Sequence, residues 1–301
     1  MTADLELTLL GTSSPLHSSH RFGPAQIVRG GDATVLIDCG WGATLRLYQA
    51  GLGPPGLPRV GAVLFTHLHS DHTTDFADFV VMRWLGGVDA PLPVYGPEGT
   101  ANMVEGFRQA MSADTRFRLA HHGEKLSPIG TACDVHEIAA GEQPVEIARI
   151  GEIAVSAFAV DHRPVIPAYG FRLERGGSSI VISGDTNPCP GLINGARDAD
   201  ILVCDSMNVG MMETFEESLR GAGNSLAASL LVDAHTYHAS TRDAAEVAAK
   251  AGVRHLVLSH VLPAIPEEGP QVEAFTAGLS DLFPGRITVG RDLQRFTLPA
   301  R

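Results

Sequence analysis

The chain has 301 residues, 44% hydrophobic and 19% charged, which suits one large globular domain or two closely packed halves. Its formal charge is −12 and it carries only two lysines, Lys125 and Lys250, so no long basic face is written into it. There is no apolar run of about 18 residues for a membrane span, no CxxC pair among Cys39, Cys133, Cys189 and Cys204, and no basic leader in the opening "MTADLELTLLGT".

The expected location is therefore the cytoplasm, with no structural disulfides. In the first half, apolar patterning predicts strands over 5–10, 26–28, 34–39, 62–66 and 92–95. Helices are predicted over 43–50, 75–85 and 99–111, with a turn-rich connector at 53–58. Residues 113–150 read as the least regular part, with His121 and His122 in a candidate lid. In the second half, strands are predicted over 153–160, 169–174, 179–183, 201–204 and 255–258. The "STRD" signal, with Ser240 or Thr241 as cap, opens a helix over 242–250. A last helix over 268–282 and short strands over 286–289 and 295–298 close the chain. Alternating strands and helices with no internal repeat point to an α/β fold.

Chemistry concentrates in "LFTHLHSDHT", where His67, His69, Asp71 and His72 fall within six positions after an apolar strand. In an extended segment alternate side chains share a face, so His67 and His69 can bind one cation together. Asp71 and His72 follow a turn and address a second ion, whereas Asp75 and Asp78 lie further along the helix. Downstream, three more candidates stand just after apolar strands: His162, Asp185 in "SIVISGDT" and His260 in "HLVLSH". Strand ends are where α/β proteins assemble sites, because the sheet fixes the strand and the loop faces the crevice.

The set "THLHSDH" with His162, Asp185 and His260 resembles the metallo-β-lactamase superfamily of dinuclear hydrolases, along the chain from first strand to last. "LLGTSSP" and "YHAS" are similar to the branch holding ribonuclease Z, the transfer-RNA 3′-processing nuclease, and arylsulfatase-like and phosphodiesterase-like proteins. The resemblance implies a four-layer αβ/βα sandwich in one domain, residues 1–301, with pseudo-equivalent halves of about 1–152 and 153–301. It implies two Zn²⁺ per chain, with Mn²⁺ or Fe as alternatives. One ion would be held by His67, His69 and His162, the other by Asp71, His72 and His260, with Asp185 between them. A metal-bridged hydroxide would then attack the substrate, with Asp71 serving as both ligand and catalytic carboxylate.

His238, in the "YHAS" element, falls where the branch carries a catalytic histidine. Asp205 is its expected partner, in place of the branch's usual longer glutamate. His235 is expected to cap or pack beside the pocket, His17 and His20 to rim it, and His136 and His255 to pack within strands. Phe79, Trp84 and the methionines of "NVGMMETF" are candidate pocket walls or core.

In many bacterial nucleases of this branch a glycine- and proline-rich arm that grips transfer RNA separates the equivalents of His162 and Asp185. Only "RPVIPAYGFRLERGGSSIVISG" intervenes here. With the acidic charge, this ranks a small phosphodiester or aryl ester first as substrate and makes nucleic acid the disfavoured partner. Ribonuclease Z activity on precursor transfer RNA is the alternative, followed by lactone or carboxylic ester hydrolysis. A homodimer is expected by analogy with the branch.

Overall fold

The computed structural model describes residues 5–299. Its strands form two seven-stranded sheets. The first contains β1 (Leu5–Gly11), β2 (Ala25–Gly30), β3 (Ala33–Ile37), β4 (Val60–Leu64), β5 (Leu92–Gly96) and β6 (Cys133–Glu137). The second contains β7 (Val145–Ile150), β8 (Ile153–Ala159), β9 (Tyr169–Arg175), β10 (Ser178–Ile182), β11 (Ile201–Met207), β12 (His255–Leu262) and β13 (Arg286–Val289). The last strand, β14 (Arg295–Leu298), returns to the first sheet beside β1. The strand orders are β14-β1-β2-β3-β4-β5-β6 and β13-β12-β11-β10-β9-β8-β7.

The two-residue period of a strand explains the layering. On β1, Leu5, Leu7 and Leu9 face the core between the sheets, and Leu10 faces the helices outside. Val35 and Ile37 on β3 alternate with Leu36 in the same way, as do Ile201 and Val203 on β11 with Leu202 and Cys204. Helices α1 (Ala43–Gln49), α3 (Phe76–Leu85) and α4 (Thr100–Ala110) cover the first sheet, separated in sequence by the single-turn α2 (Ser70–Thr73). The second sheet is covered by α6 (Pro190–Gly195), α9 (Thr241–Ala251) and α10 (Pro270–Phe275). The result is the expected four-layer αβ/βα sandwich.

The structure corrects several sequence expectations, the packing of His136 among them. Residues 113–150 are regular: they hold most of α5 (Ser112–His122), together with β6 and β7. No residue of α5 is buried, so the segment lacks the apolar face that betrays a helix. The helix expected over 268–282 stops after Phe275, and Gly278 turns the chain at φ 75° into a short 3₁₀ turn. The stretch between Asp205 and His238 carries α7 (Val209–Gly221) and α8 (Ser225–Ala234), both unassigned from sequence. Phe79 and Trp84 are fully buried core, and His136 is exposed on β6, stacked on Tyr95 at 4.7 Å.

Candidate metal centre

Strands β3 and β4 run parallel, as do β10, β11 and β12, so their C-terminal ends deliver side chains to one edge of the sandwich. His67 and His69 follow β4, and α2 then turns Asp71 and His72 back towards the same edge. From the second sheet come His162 after β8, Asp185 after β10, Asp205 on β11 and His260 on β12.

Local backbone features aim several of these groups. Gly184 has φ 65°, and a Cβ there would stand 2.8 Å from Cβ of Thr66, so only glycine brings the chain this close before Asp185. His260 occupies the register shift between β11 and β12, where Ser259 pairs with Asp205 and Val261 with Ser206. It is the extra residue of a bulge, with φ 48°, and the bulge re-aims its imidazole.

The groups converge. His69 Nδ1 lies 3.0 Å from His67 Nε2 and 3.3 Å from His162 Nε2. A tetrahedral ion about 2.0–2.1 Å from each of two nitrogens would set them about 3.3 Å apart, so the spacing fits. The Oδ2 atom of Asp71 is 3.3 Å from His260 Nε2 and 3.5 Å from His72 Nε2. Asp185 reaches both groups: Oδ1 is 3.4 Å from His72 Nε2, and Oδ2 is 3.3 Å from His260 Nε2 and 3.8 Å from His67 Nε2.

Hydrogen bonds behind these imidazoles fix which nitrogen carries the proton. Thr66 Oγ1 donates to Asp38 Oδ2 at 2.9 Å and can therefore accept from His67 Nδ1, 3.1 Å away. His72 Nδ1 donates to the same Asp38 oxygen at 2.8 Å, and His162 Nδ1 donates to the Tyr237 carbonyl at 3.0 Å. In all three rings the Nε2 lone pair is left facing the cluster. His72 Nε2 and Asp185 Oδ1 are buried without a hydrogen-bond partner, a costly condition that a coordinated cation relieves.

Electrostatics agrees with the geometry. Burial lowers the basicity of His67, His69 and His162, which keeps the imidazoles neutral as ligation requires. Burial also works against charge on His72 and His260, yet Asp185 and Asp71 outweigh it and raise both. Negative charge is in excess around these two rings, which suits a divalent cation.

Beside the cluster, His238 Nδ1 donates to Asp205 Oδ2 at 2.9 Å and lies 3.9 Å from Asp185. The shorter aspartate therefore still reaches this histidine. Burial raises the Asp205 carboxyl, opposed by its hydrogen bond from His238. Asp38 and Thr66 were missed from sequence; the signal for Asp38 was an acid directly after the apolar run of β3.

The other histidines lie outside the ligand cluster. His235 ends α8 and bonds Glu216 of α7 at 2.7 Å, tying the two helices together. His121 and His122 lie in the last turn of α5. His255 bonds Thr288 at 2.9 Å at the start of β12, and His17, in the loop after β1, packs on Trp41 at 4.6 Å with the rings tilted by 32°.

Sandwich and ligand cluster together define a metal-dependent hydrolase. Residues 33–261 match the family described as the beta-lactamase superfamily domain, and the chain belongs to that superfamily. It is 39% identical to a ribonuclease Z of Mycobacterium bovis over 301 residues, covering 99% of both chains. Among solved structures it is similar to the metallo-beta-lactamase fold protein YhfI of Bacillus subtilis, with TM-score 0.70, 17% identity and coverage of 98% and 100%. Human tRNase Z, short form, gives TM-score 0.66 at 21% identity, with coverage of 98% and 99%.

The full-length likeness to a ribonuclease Z corrects the expectation that nucleic acid is a disfavoured partner. Net charge averages over a whole surface, whereas a phosphodiester is gripped by the few charges that touch it, and a missing arm removes only one means of grip. No helix among the described residues is long and apolar enough to cross a membrane.

Proposed function

We propose that the chain is an endonuclease that cleaves precursor transfer RNA at its 3′ side. The carrying observation is full-length identity of 39% to ribonuclease Z, held alongside a buried His238–Asp205 pair at the edge of the ligand cluster. The small phosphodiester or aryl ester ranked first from the missing arm gives way to this reading.

In this reading His67, His69 and His162 would hold one ion and Asp71, His72 and His260 a second, with the Asp185 carboxylate available to either. The histidine-rich donor set favours zinc. Such ions supply Lewis acidity and lower the pKa of water at the reacting centre. Asp38 orients His72 directly and His67 through Thr66, so both ligands meet the centre preorganised. His238, held through Nδ1 by Asp205, keeps Nε2 for the leaving oxygen or a non-bridging oxygen, and as imidazolium it donates the Nε2 proton there while Nδ1–H stays on Asp205. Because each half of the chain supplies ligands, the two halves act as one domain. Its four free cysteines suit the cytoplasm.

A parallel assay with a precursor transfer RNA, bis(p-nitrophenyl) phosphate, an aryl sulfate and a lactone tests the assignment. The expected result is site-specific RNA cleavage, abolished by chelation and restored by Zn²⁺. Ready turnover of a small ester with the RNA left intact would overturn it.

A further inference from the structure

At the same edge of the sandwich as the metal centre runs a groove of about 830 Å³. Two of its walls continue the strands that carry Asp205 and His260. Asn208 stands three residues after Asp205, and Pro263 three residues after His260. The third wall is the loop after β1, joined to β12 where Val261 N donates to the Thr12 carbonyl at 2.9 Å. Arg21, fully buried, fixes the spacing between walls: its Nε donates to the Ile265 carbonyl at 2.8 Å, and Nη1 to Thr12 Oγ1 at 2.7 Å and the Gly290 carbonyl at 2.6 Å.

The lining is unusual for a place beside a phosphate-cleaving centre, because no Asp, Glu, Lys or Arg side chain contributes to it. Apolar Met211, Phe215 and Ile265 meet neutral hydrogen-bonding groups such as Ser19 and Gln271. A surface of this kind does not select phosphates; it matches a flat, uncharged ring with polar edges. A series of ring contacts also ends here. The Arg46 guanidinium lies 4.1 Å over Phe22, Phe22 stacks on Trp41 at 5.1 Å and 27°, and His17 packs on Trp41 at 4.6 Å, tilted by 32°. His17 is exposed and lines the groove, so the series has an open end.

We propose that this groove receives the unpaired nucleotide adjoining the scissile phosphodiester of an RNA substrate, its base stacked on the His17 imidazole. This rests on the reading of the centre as an RNA-cleaving one. The metal centre handles the phosphate, and the groove supplies sequence-tolerant affinity for the neighbouring base. It thereby favours substrates with a single-stranded extension.

The test compares a precursor transfer RNA carrying a normal 3′ extension with one whose extension is abasic, so that phosphates are kept and bases removed. Expected is a fall in kcat/KM of about tenfold or more for the abasic substrate, the scale of one lost base–ring stack. His17→Ala should cut cleavage of the normal substrate to the abasic level and leave the abasic one little changed. His17→Phe should restore the difference. Metal content and thermal midpoint of each variant establish that it is folded and loaded. Equal cleavage of the two substrates by the parent protein, or an equal loss on both in His17→Ala, overturns the groove assignment and leaves RNA cleavage standing. Failure to cleave either RNA overturns both readings.

Discussion

At the scale of single residues, His238 tests whether proton chemistry and metal binding are divided between residues, since it also stands close enough to Asp185 and His260 to share an ion with them. Its Nδ1 is engaged by Asp205. Replacing His238 by Ala is expected to leave the metal content measured by atomic emission unchanged, while RNA cleavage falls by about 10²–10⁴-fold. Loss of metal in this variant would make His238 a ligand instead. The candidate ligands were visible in the sequence because histidines and aspartates directly after apolar strands are costly unless used. Asp38 was less visible, since one acid after "TVLI" looks like any strand terminus. Only the fold shows that it serves both His72 and, through Thr66, His67.

At the scale of elements, the reciprocal cap that opens α9 stands two residues after His238. Ser240 Oγ accepts from Asp243 N at 3.1 Å, and Ser240 N donates to Asp243 Oδ2 at 3.0 Å. Ser240→Ala should cost about 1 kcal/mol in urea unfolding, the usual worth of such a cap. A change below a few tenths would mean that the helix start is held by packing alone. This cap was legible from "STRD", as were the strands with strict alternation. Elements whose side chains stay half exposed were not: α5 buries nothing, and β6 and β7 show no fully buried residue. Hydrophobic periodicity reports burial, so elements on the periphery leave little trace in it.

At the scale of the whole molecule, His255 reports on how the sandwich responds to acid. It bonds Thr288 on β13, and its ring meets Phe296 of β14, which belongs to the other sheet, at 5.3 Å. Burial, with a smaller contribution from Arg286, lowers its pKa from 6.5 to about 4. The unfolded chain therefore binds a proton at this position before the folded one does. Stability should fall as pH drops from about 6.5 towards 4 and level off below that, as far as this group contributes. His255→Gln should flatten that part of the curve of urea midpoint against pH; an unchanged slope would remove His255 from the account.

The division of the ligands between the sheets has a mechanical side. His67, His69, Asp71 and His72 hang from the first sheet, and His162, Asp185 and His260 from the second. Any motion that parts the sheets at this edge would pull a bound metal away from one set or the other. Metal loading would then act as a bolt through the seam, lengthening the lifetime of the native state by raising the barrier to opening as well as deepening the native well.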